Sequence, residues 1–160
     1  MATAANVPAS WHTWGMPKFT IRRAKAQDAD PLSDCISTAY SVYGSRIADI
    51  PSVSEGMSQT IESSRVWIAE IDSGIVGGII LIPHEEFMML ENVAVHPDSS
   101  GLGIGAALIR QAEADCLEFG LQEMRLSTHK DMPENVSLYE HLGWQETGRS
   151  GNKVVMTKKV

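Results

Sequence analysis

The sequence has few cysteines, and they lie far apart. The 160 residues include two cysteines, Cys35 and Cys116. So few cysteines indicate reduced, buried thiols rather than a disulfide scaffold, and they predict a cytoplasmic protein. Histidine, cysteine and aspartate do not cluster at the spacing of a metal site, so we expect no metal cofactor.

Long apolar runs are also missing. The longest candidate, GIVGGIILIP at residues 74–83, is far shorter than the ~18 residues that a membrane helix needs, and it ends in proline. It predicts a buried strand instead. Residues 1–18 show neither the apolar stretch of a secretory signal nor any periodicity, so we expect an irregular N-terminal arm there. Residues 19–160 are expected to form one domain.

The sequence has fewer basic residues than acidic ones. Thirteen basic residues stand against twenty acidic ones, which gives a formal net charge of −7 at pH 7. A chain of this charge repels phosphate backbones, which disfavours a nucleic-acid ligand and favours cationic substrates. The hydrophobic share of 43% and the charged share of 21% are ordinary values for a globular protein with a packed core.

Hydrophobic periodicity predicts strands interleaved with helices. The predicted strands cover residues 19–23, 65–71, 75–82, 88–95, 123–128, 144–149 and 154–157. The predicted helices start at Asp30 as N-cap, near Val53, after the glycines at 101–105, and at Asn135. Adjacent strand pairs at both ends of this pattern indicate an α+β or mixed α/β fold with a mixed sheet.

The most informative segment is the glycine-rich loop after the strand at residues 88–95. The loop HPDSS is followed by Gly101-Leu102-Gly103-Ile104-Gly105, which continues into a helix. Three glycines permit close backbone approach and positive φ angles, and a helix start presents unpaired N–H groups. The segment therefore predicts an anion site suited to phosphate. A tight turn without a ligand is the alternative, but it requires one glycine rather than three.

The kind of phosphate ligand is open at this point. Gly101, Gly103 and Ala106 match the dinucleotide pattern G-x-G-x-x-A, which would suit an oxidoreductase. However, five residues separate the strand from the first glycine, and no repeated βαβ array precedes it. A Gly-Lys-Ser/Thr phosphate loop is not present in the sequence either.

Two motifs, which follow each other along the chain in the same order as in the family, resemble those of the GNAT superfamily of N-acetyltransferases. The segment VAVHPDSSGLGIGAALI is similar to its acetyl-CoA motif, Arg/Gln-x-x-Gly-x-Gly/Ala, with Ser100 in place of the arginine or glutamine. Asn135 and Tyr139, followed by Glu-His-Leu-Gly-Trp, are similar to its second signature. The resemblance covers about residues 19 to 160.

The resemblance implies a GNAT-like acyl-CoA N-acyltransferase fold. Its central sheet is mixed, largely antiparallel and splayed at the cofactor site, with helices on both faces. Acetyl-CoA would be the co-substrate, and the acceptor would be a small-molecule or protein amine. The resemblance also implies direct transfer in a ternary complex and a homodimer, with Trp11 and Trp14 of the arm as candidate contacts.

The cofactor is expected in an opening between the strand that ends at Val95 and the strand that begins at Glu123. The backbone of Val93 and Val95 would bind the pantetheine arm, and the glycine loop would hold the diphosphate. The candidate cofactor-binding residues are Val93, Ala94, Val95, Ser100, Gly101, Leu102, Gly103, Ile104, Gly105, Ala106, Asn135 and Tyr139.

Tyr139 is the candidate general acid, because a phenol with a pKa of about 10 can protonate a departing thiolate at neutral pH. Asn135 lies four residues earlier and shares its helix face. It either binds the pantetheine arm or caps the helix. Glu91 is the first candidate general base and, by strand alternation, shares a face with Val93 and Val95; a solvated strand end is the alternative. His129 is the second candidate, with a structural role as its alternative.

The acceptor is expected from the side of residues 32–64 and the loop at 83–89. Its candidate wall residues are Tyr40, Tyr43, Trp67, Met88 and Met89. Cys35 and Cys116 fit the apolar stripes of their helices, so an acyl-cysteine route is not favoured. Because of Ser100 and the open identity of the base, a catalytically impaired acyl-CoA-binding module stays the alternative function, ahead of a dinucleotide oxidoreductase.

Overall fold

The computed structural model describes residues 18–41 and 56–160. Most of the predicted N-terminal arm, including Trp11 and Trp14, lies outside the described residues, as do Tyr43 and Val53. The predictions on these positions therefore stay predictions.

Seven strands form one sheet. They are β1 (Thr20–Arg23), β2 (Arg65–Ile71), β3 (Gly74–Pro83), β4 (Met88–Val95), β5 (Glu123–His129), β6 (Gln145–Ser150) and β7 (Lys153–Lys159). Their order is β1-β2-β3-β4-β5-β7-β6, and among these strands β4 and β5 alone run parallel. The prediction of a mixed, largely antiparallel sheet is confirmed. One parallel pair does not make the repeated βαβ array that a dinucleotide fold requires.

Helices cover both faces of the sheet. They are α1 (Ala29–Ser41), α2 (Met57–Ser63), α3 (Ile104–Glu118) and α4 (Pro133–His141). Leu32 and Ile36 of α1 and Met57 of α2 pack in a core cluster on one side, here named the α1 face. Leu108 and Ile109 of α3 pack in a larger cluster on the other side, the α3 face. Across the described ranges, the helices fall short of the length and hydrophobicity that a bilayer crossing requires.

The start of α1 differs from the prediction, in which Asp30 was the N-cap. The helix follows directly on a 3-10 turn over Ala26–Asp28, and Asp28 is the acidic residue that organises this end. Its carboxylate accepts hydrogen bonds from both Nη atoms of Arg22, at 2.8 and 2.9 Å, and from the backbone N–H of Lys25 at 2.7 Å. The Arg22 guanidinium lowers the pKa of this carboxyl group.

Two adjacent glycines in β3 allow helices to approach the same strand from opposite sides. A Cβ atom on Gly78 would stand 2.6 Å from Leu32 Cδ1 of α1. A Cβ atom on Gly77 would stand 3.0 Å from the Ala94 carbonyl oxygen and 3.2 Å from Ile104 Cγ2, in the first turn of α3. The glycine pair therefore brings α1 and the beginning of α3 close to the centre of the sheet.

We expect Gly78→Ala to lower the free energy of unfolding by about 1–3 kcal/mol, the usual range for an overpacked core. Leu32 is fully buried, so its side chain has no open space into which it could move. Gly148→Ala in β6 is the matched control, because a Cβ atom there would meet nothing within 4 Å. Its unfolding free energy should change by less than about 0.5 kcal/mol. Denaturant titration measures both variants, and equal stabilities would contradict the close packing of α1 on β3.

Candidate active site

The opening in the sheet lies where β4 and β5 stop pairing. Their ladder consists of Met88 with Met124, Met89 with Arg125 and Leu90 with Leu126. Past this point β4 continues to pair with β3 as far as Val95, and β5 continues to pair with β7 as far as His129. Within the part of the chain that the structure describes, the facing edges of β4 and β5 therefore run on without a strand partner, and the predicted splay is confirmed.

A β-bulge marks the place where the splay begins. Leu90 pairs with Leu81 and Asn92 pairs with Ile80, so Glu91 is an extra residue in β4. As a result, Leu90 and Val93 both join the α3-face core, which strict alternation would not allow. Glu91 itself is exposed. Simple alternation, from which we predicted its orientation, does not apply across this residue.

The loop after β4 leads directly into α3. Pro97–Ser99 form a 3-10 turn, in which His96 Nδ1 accepts the backbone N–H of Asp98 at 3.1 Å. Gly101 and Gly103 then adopt the positive φ angles of 81° and 79° that favour glycine. Gly105 is buried within the helix.

The first turn of α3 presents backbone donors. Ala107 N–H donates to the Gly103 carbonyl at 3.0 Å, so the N–H groups of Ile104, Gly105 and Ala106 precede the first intrahelical bond. Gly77, beside Ile104, pairs with Val95. The helix start therefore lies at the end of β4 whose edge is unpaired. Neutral amide donors next to an open strand edge fit a ligand with a diphosphate and an amide-containing arm, which are the parts of coenzyme A.

Asn135 and Tyr139 lie on the buried side of α4, with 5% and 4% of their surfaces exposed. Because α4 begins at Pro133, Asn135 is its third residue, and the alternative that it caps the helix is wrong. Its Nδ2 donates to Thr128 Oγ1 at 3.4 Å, on the splayed part of β5. Tyr139 meets Trp144 edge to face, with ring centroids 5.8 Å apart, and belongs to the same core cluster as Val93 and Val95. The structure thus brings the two motifs together on the α3 face.

His129 lies on the other face. Met124 and Leu126 of β5 are in the α3-face core, so the alternate residues Arg125, Ser127 and His129 face the α1 side. His129 Nδ1 accepts the backbone N–H of Asp131 at 3.1 Å, which supports the turn before α4. This is the structural role that stood as the alternative to catalysis.

Two of the predicted acceptor-wall residues are placed elsewhere. Trp67 Nε1 donates to Asp115 of α3 at 3.2 Å, so the indole lies on the α3 face. Met88 is fully buried in the α3-face core. The prediction that both line the acceptor side is wrong, because strand register turns them to the opposite face. Met89 is half-buried and lies outside both core clusters.

The sequence reasoning did not identify Asn92. Its side chain is 6% exposed, and its Oδ1 accepts a hydrogen bond from the Tyr40 hydroxyl at 3.1 Å. This bond ties α1 to the residue next to the bulge. A polar residue directly before the apolar run Val93–Val95 was the signal that could have identified it.

A buried ion pair fixes α3 against the sheet. Asp115 is 1% exposed and accepts from Arg65 Nε and Nη2 of β2 at 2.5 and 2.7 Å, in addition to the Trp67 indole. Pairing with Asp115 raises the pKa of Arg65. The charge of Asp115 is thus compensated, as burial requires.

Neither cysteine is poised as a nucleophile. Burial raises the pKa of Cys35 to about 11, and burial together with the Asp115 charge raises the pKa of Cys116. Both thiols are therefore protonated at neutral pH, whereas nucleophilic attack requires the thiolate.

Comparison with known proteins points to one family. A family model described as an acetyltransferase (GNAT) domain matches residues 62–146. Human N-acetyltransferase 8B is 29% identical over 90 residues, which cover 52% of this chain and 40% of that protein. The matched segment thus spans less than half of the human protein.

Solved structures share the fold at low sequence identity. The PaiA N-acetyltransferase from Thermoplasma acidophilum, in complex with coenzyme A, superposes with a TM-score of 0.82 at 20% identity, covering 89% of this chain and 99% of that one. The ribosomal-protein-S18-alanine N-acetyltransferase from Escherichia coli gives 0.74 at 18% identity, covering 89% and 94%. A GNAT acetyltransferase from Elizabethkingia anophelis with acetyl-CoA bound gives 0.68 at 17% identity, covering 89% and 98%.

Proposed function

Since this chain belongs to the GNAT acetyltransferase family, we propose that it transfers an acetyl group from acetyl-CoA to a primary amine of a small molecule or a protein. The observation that carries the proposal is the unpaired edge of β4 beside the amide donors that begin α3. The coenzyme A and acetyl-CoA complexes of the two structural relatives support this choice of ligand. The homodimer and the cytoplasmic location stay predictions of the sequence.

The loop and the first turn of α3 hold the diphosphate in this proposal. The backbone N–H groups of residues 101–106 donate to the phosphate oxygens, with the positive end of the helix dipole behind them. Ser100 stands where the family has arginine or glutamine. A side-chain donor to a charged phosphate contributes roughly 1.5–3 kcal/mol, so the serine hydroxyl is a weaker substitute for that contact.

Acetyl-CoA supplies an acetyl group already activated as a thioester. The backbone of Val93 and Val95 binds the pantetheine arm as an added strand, and Asn135 orients it from the α4 side. One backbone N–H at the splay polarises the thioester carbonyl. Tyr139 donates its phenolic proton to the leaving sulfur, because a phenol with a pKa of about 10 carries that proton at pH 7.

Glu91 is the general base in this scheme. The acceptor arrives as an ammonium ion with a pKa near 10.4, so it must lose a proton before it attacks. Glu91 is exposed at the bulge where the opening begins. His129 is the second candidate, but its Nδ1 already accepts the Asp131 N–H. The geometry therefore favours the carboxylate.

The buried, protonated thiols favour direct transfer within a ternary complex over an acyl-cysteine route. A second function, an acyl-CoA-binding module without turnover, is favoured by Ser100 alone. Release of free thiol from acetyl-CoA in the presence of a broad amine panel separates the two. Binding of acetyl-CoA without any thiol release would establish the module and overturn the enzyme.

We expect Tyr139→Phe to lower kcat by about a hundredfold or more, as is typical when a general acid is lost. The phenyl ring keeps its packing on Trp144, so the melting temperature should stay close to that of the wild type. Calorimetric titration should give nearly unchanged affinity for coenzyme A. An unchanged kcat would remove Tyr139 from the mechanism.

Gly103→Ala and Gly120→Ala form a matched pair at the two ends of α3. Both glycines have left-handed φ angles, 79° and 76°, and an added Cβ would meet nothing within 4 Å at either site. Each variant should lose a similar stability, roughly 1–2 kcal/mol. Only Gly103→Ala should weaken coenzyme A binding, by about tenfold, because it alone disturbs the helix start that presents the donors. Equal affinities in the two variants, measured by calorimetry, would contradict the proposed diphosphate site.

The double variant Cys35→Ala/Cys116→Ala should keep kcat within about twofold of the wild type, since direct transfer uses no thiol. Steady-state assays and mass spectrometry of the wild type after mixing with acetyl-CoA provide the measurement. A folded double variant without activity, or an acetylated cysteine on the wild-type chain, would refute direct transfer.

A further inference from the structure

Helices α1 and α2 cover one part of the sheet on the α1 face. The strand residues of the core cluster on this face come from β2, β3 and β4, among them Val66, Ile80 and Ala94. Phe87, just before β4, and Val155 of β7 are half-buried and belong to neither core cluster. On this face, the sheet next to the splay therefore carries half-buried apolar residues that the described helices do not pack against.

Arg125 stands on this surface, and its guanidinium is held in place. It pairs with Met89 in the β4–β5 ladder, one position before the last pair. The guanidinium carbon lies 4.0 Å from the ring centroid of Phe87, and Phe87 in turn stacks on His84 with centroids 4.6 Å apart. Its Nε donates to Glu123 at 2.5 Å. One face and one edge of the guanidinium are thus occupied.

The outer edge of the same guanidinium is open. Within residues 18–41 and 56–160, no acceptor engages Nη1 or Nη2 of Arg125, and 41% of its side chain is exposed. A stacked arginine whose two terminal nitrogens are available binds a carboxylate through two parallel N–H···O bonds. Stacking on Phe87 limits the rotamer entropy that such binding would otherwise cost.

We propose that Arg125 binds a carboxylate on the amine acceptor, so that the preferred acceptors are zwitterions that carry an amine and a carboxylate. This inference rests on the acetyl transfer proposed above. The guanidinium stacks on Phe87, and Glu91 lies four residues further along the chain, which is about 13 Å in extended strand geometry. A long, flexible acceptor can therefore place its ammonium group at Glu91 and its carboxylate at Arg125. A zwitterion has no net charge, so the net charge of −7 does not repel it.

The test compares each acceptor with its own amide. Acetyl-CoA turnover is measured with straight-chain amino acids from glycine to 12-aminododecanoate and with the corresponding primary amides. For at least one chain length, the acid should exceed its amide in kcat/KM by about tenfold or more, the usual effect of a charge-assisted pair. Arg125→Gln should abolish that preference, chiefly by raising KM for the acid, while the rates with amides stay nearly unchanged. Arg125→Lys should restore part of the preference.

Arg110→Gln is the control for a general charge effect, because Arg110 is exposed on α3, on the opposite side of the sheet. It should leave the acid-to-amide ratio unchanged. Equal rates for acids and amides in the wild type, or an unaltered ratio in Arg125→Gln, would overturn this inference while leaving acetyl transfer intact. No thiol release with any amine would overturn the proposed function and this inference with it.

Discussion

The parting of β4 from β5 is the constraint on which the rest of the structure depends. Buried backbone groups must find hydrogen-bond partners, so a strand that leaves its neighbour inside a sheet needs a ligand or water along the open edge. The bulge at Glu91 starts this divergence by adding a residue to β4 while β3 continues in register. The opening is thus built into the strand pairing, and the side chains around it only shape it.

The elements on each side of the opening are fixed by separate contacts. Gly77 and Gly78 let α3 and α1 approach β3 closely, and the Arg65–Asp115 pair holds α3 to β2. Across the gap, Asn135 ties α4 to Thr128 on β5. Rigid supports on both sides would keep an open sheet from closing without a ligand, which is the preorganisation that tight positioning of two substrates requires.

The residues proposed to act on the acyl donor and on the amine lie on opposite faces of the sheet. Tyr139 belongs to the α3-face core, on the same face of the sheet as the helix start that would hold the diphosphate. Arg125 and His129 face the α1 side, where the described helices leave the sheet next to the splay less covered. In the proposed function, the acyl donor and the amine would therefore approach the splay from different sides and meet near the bulge. Such an arrangement suits direct transfer, because neither substrate has to leave before the other binds.

The sequence by itself determined the local structure: strand and helix positions to within a few residues, the left-handed glycines at 101 and 103, and the shared buried face of Asn135 and Tyr139. These follow from periodicity and backbone sterics, which act over a few residues. The resemblance to the family's motifs added the prediction of a splayed sheet. The tertiary structure alone decided which face Trp67 and Met88 take, the bulge at Glu91 and the stacking of Arg125 on Phe87. Each depends on register between strands distant in sequence, and a slip of one residue there reverses every side chain.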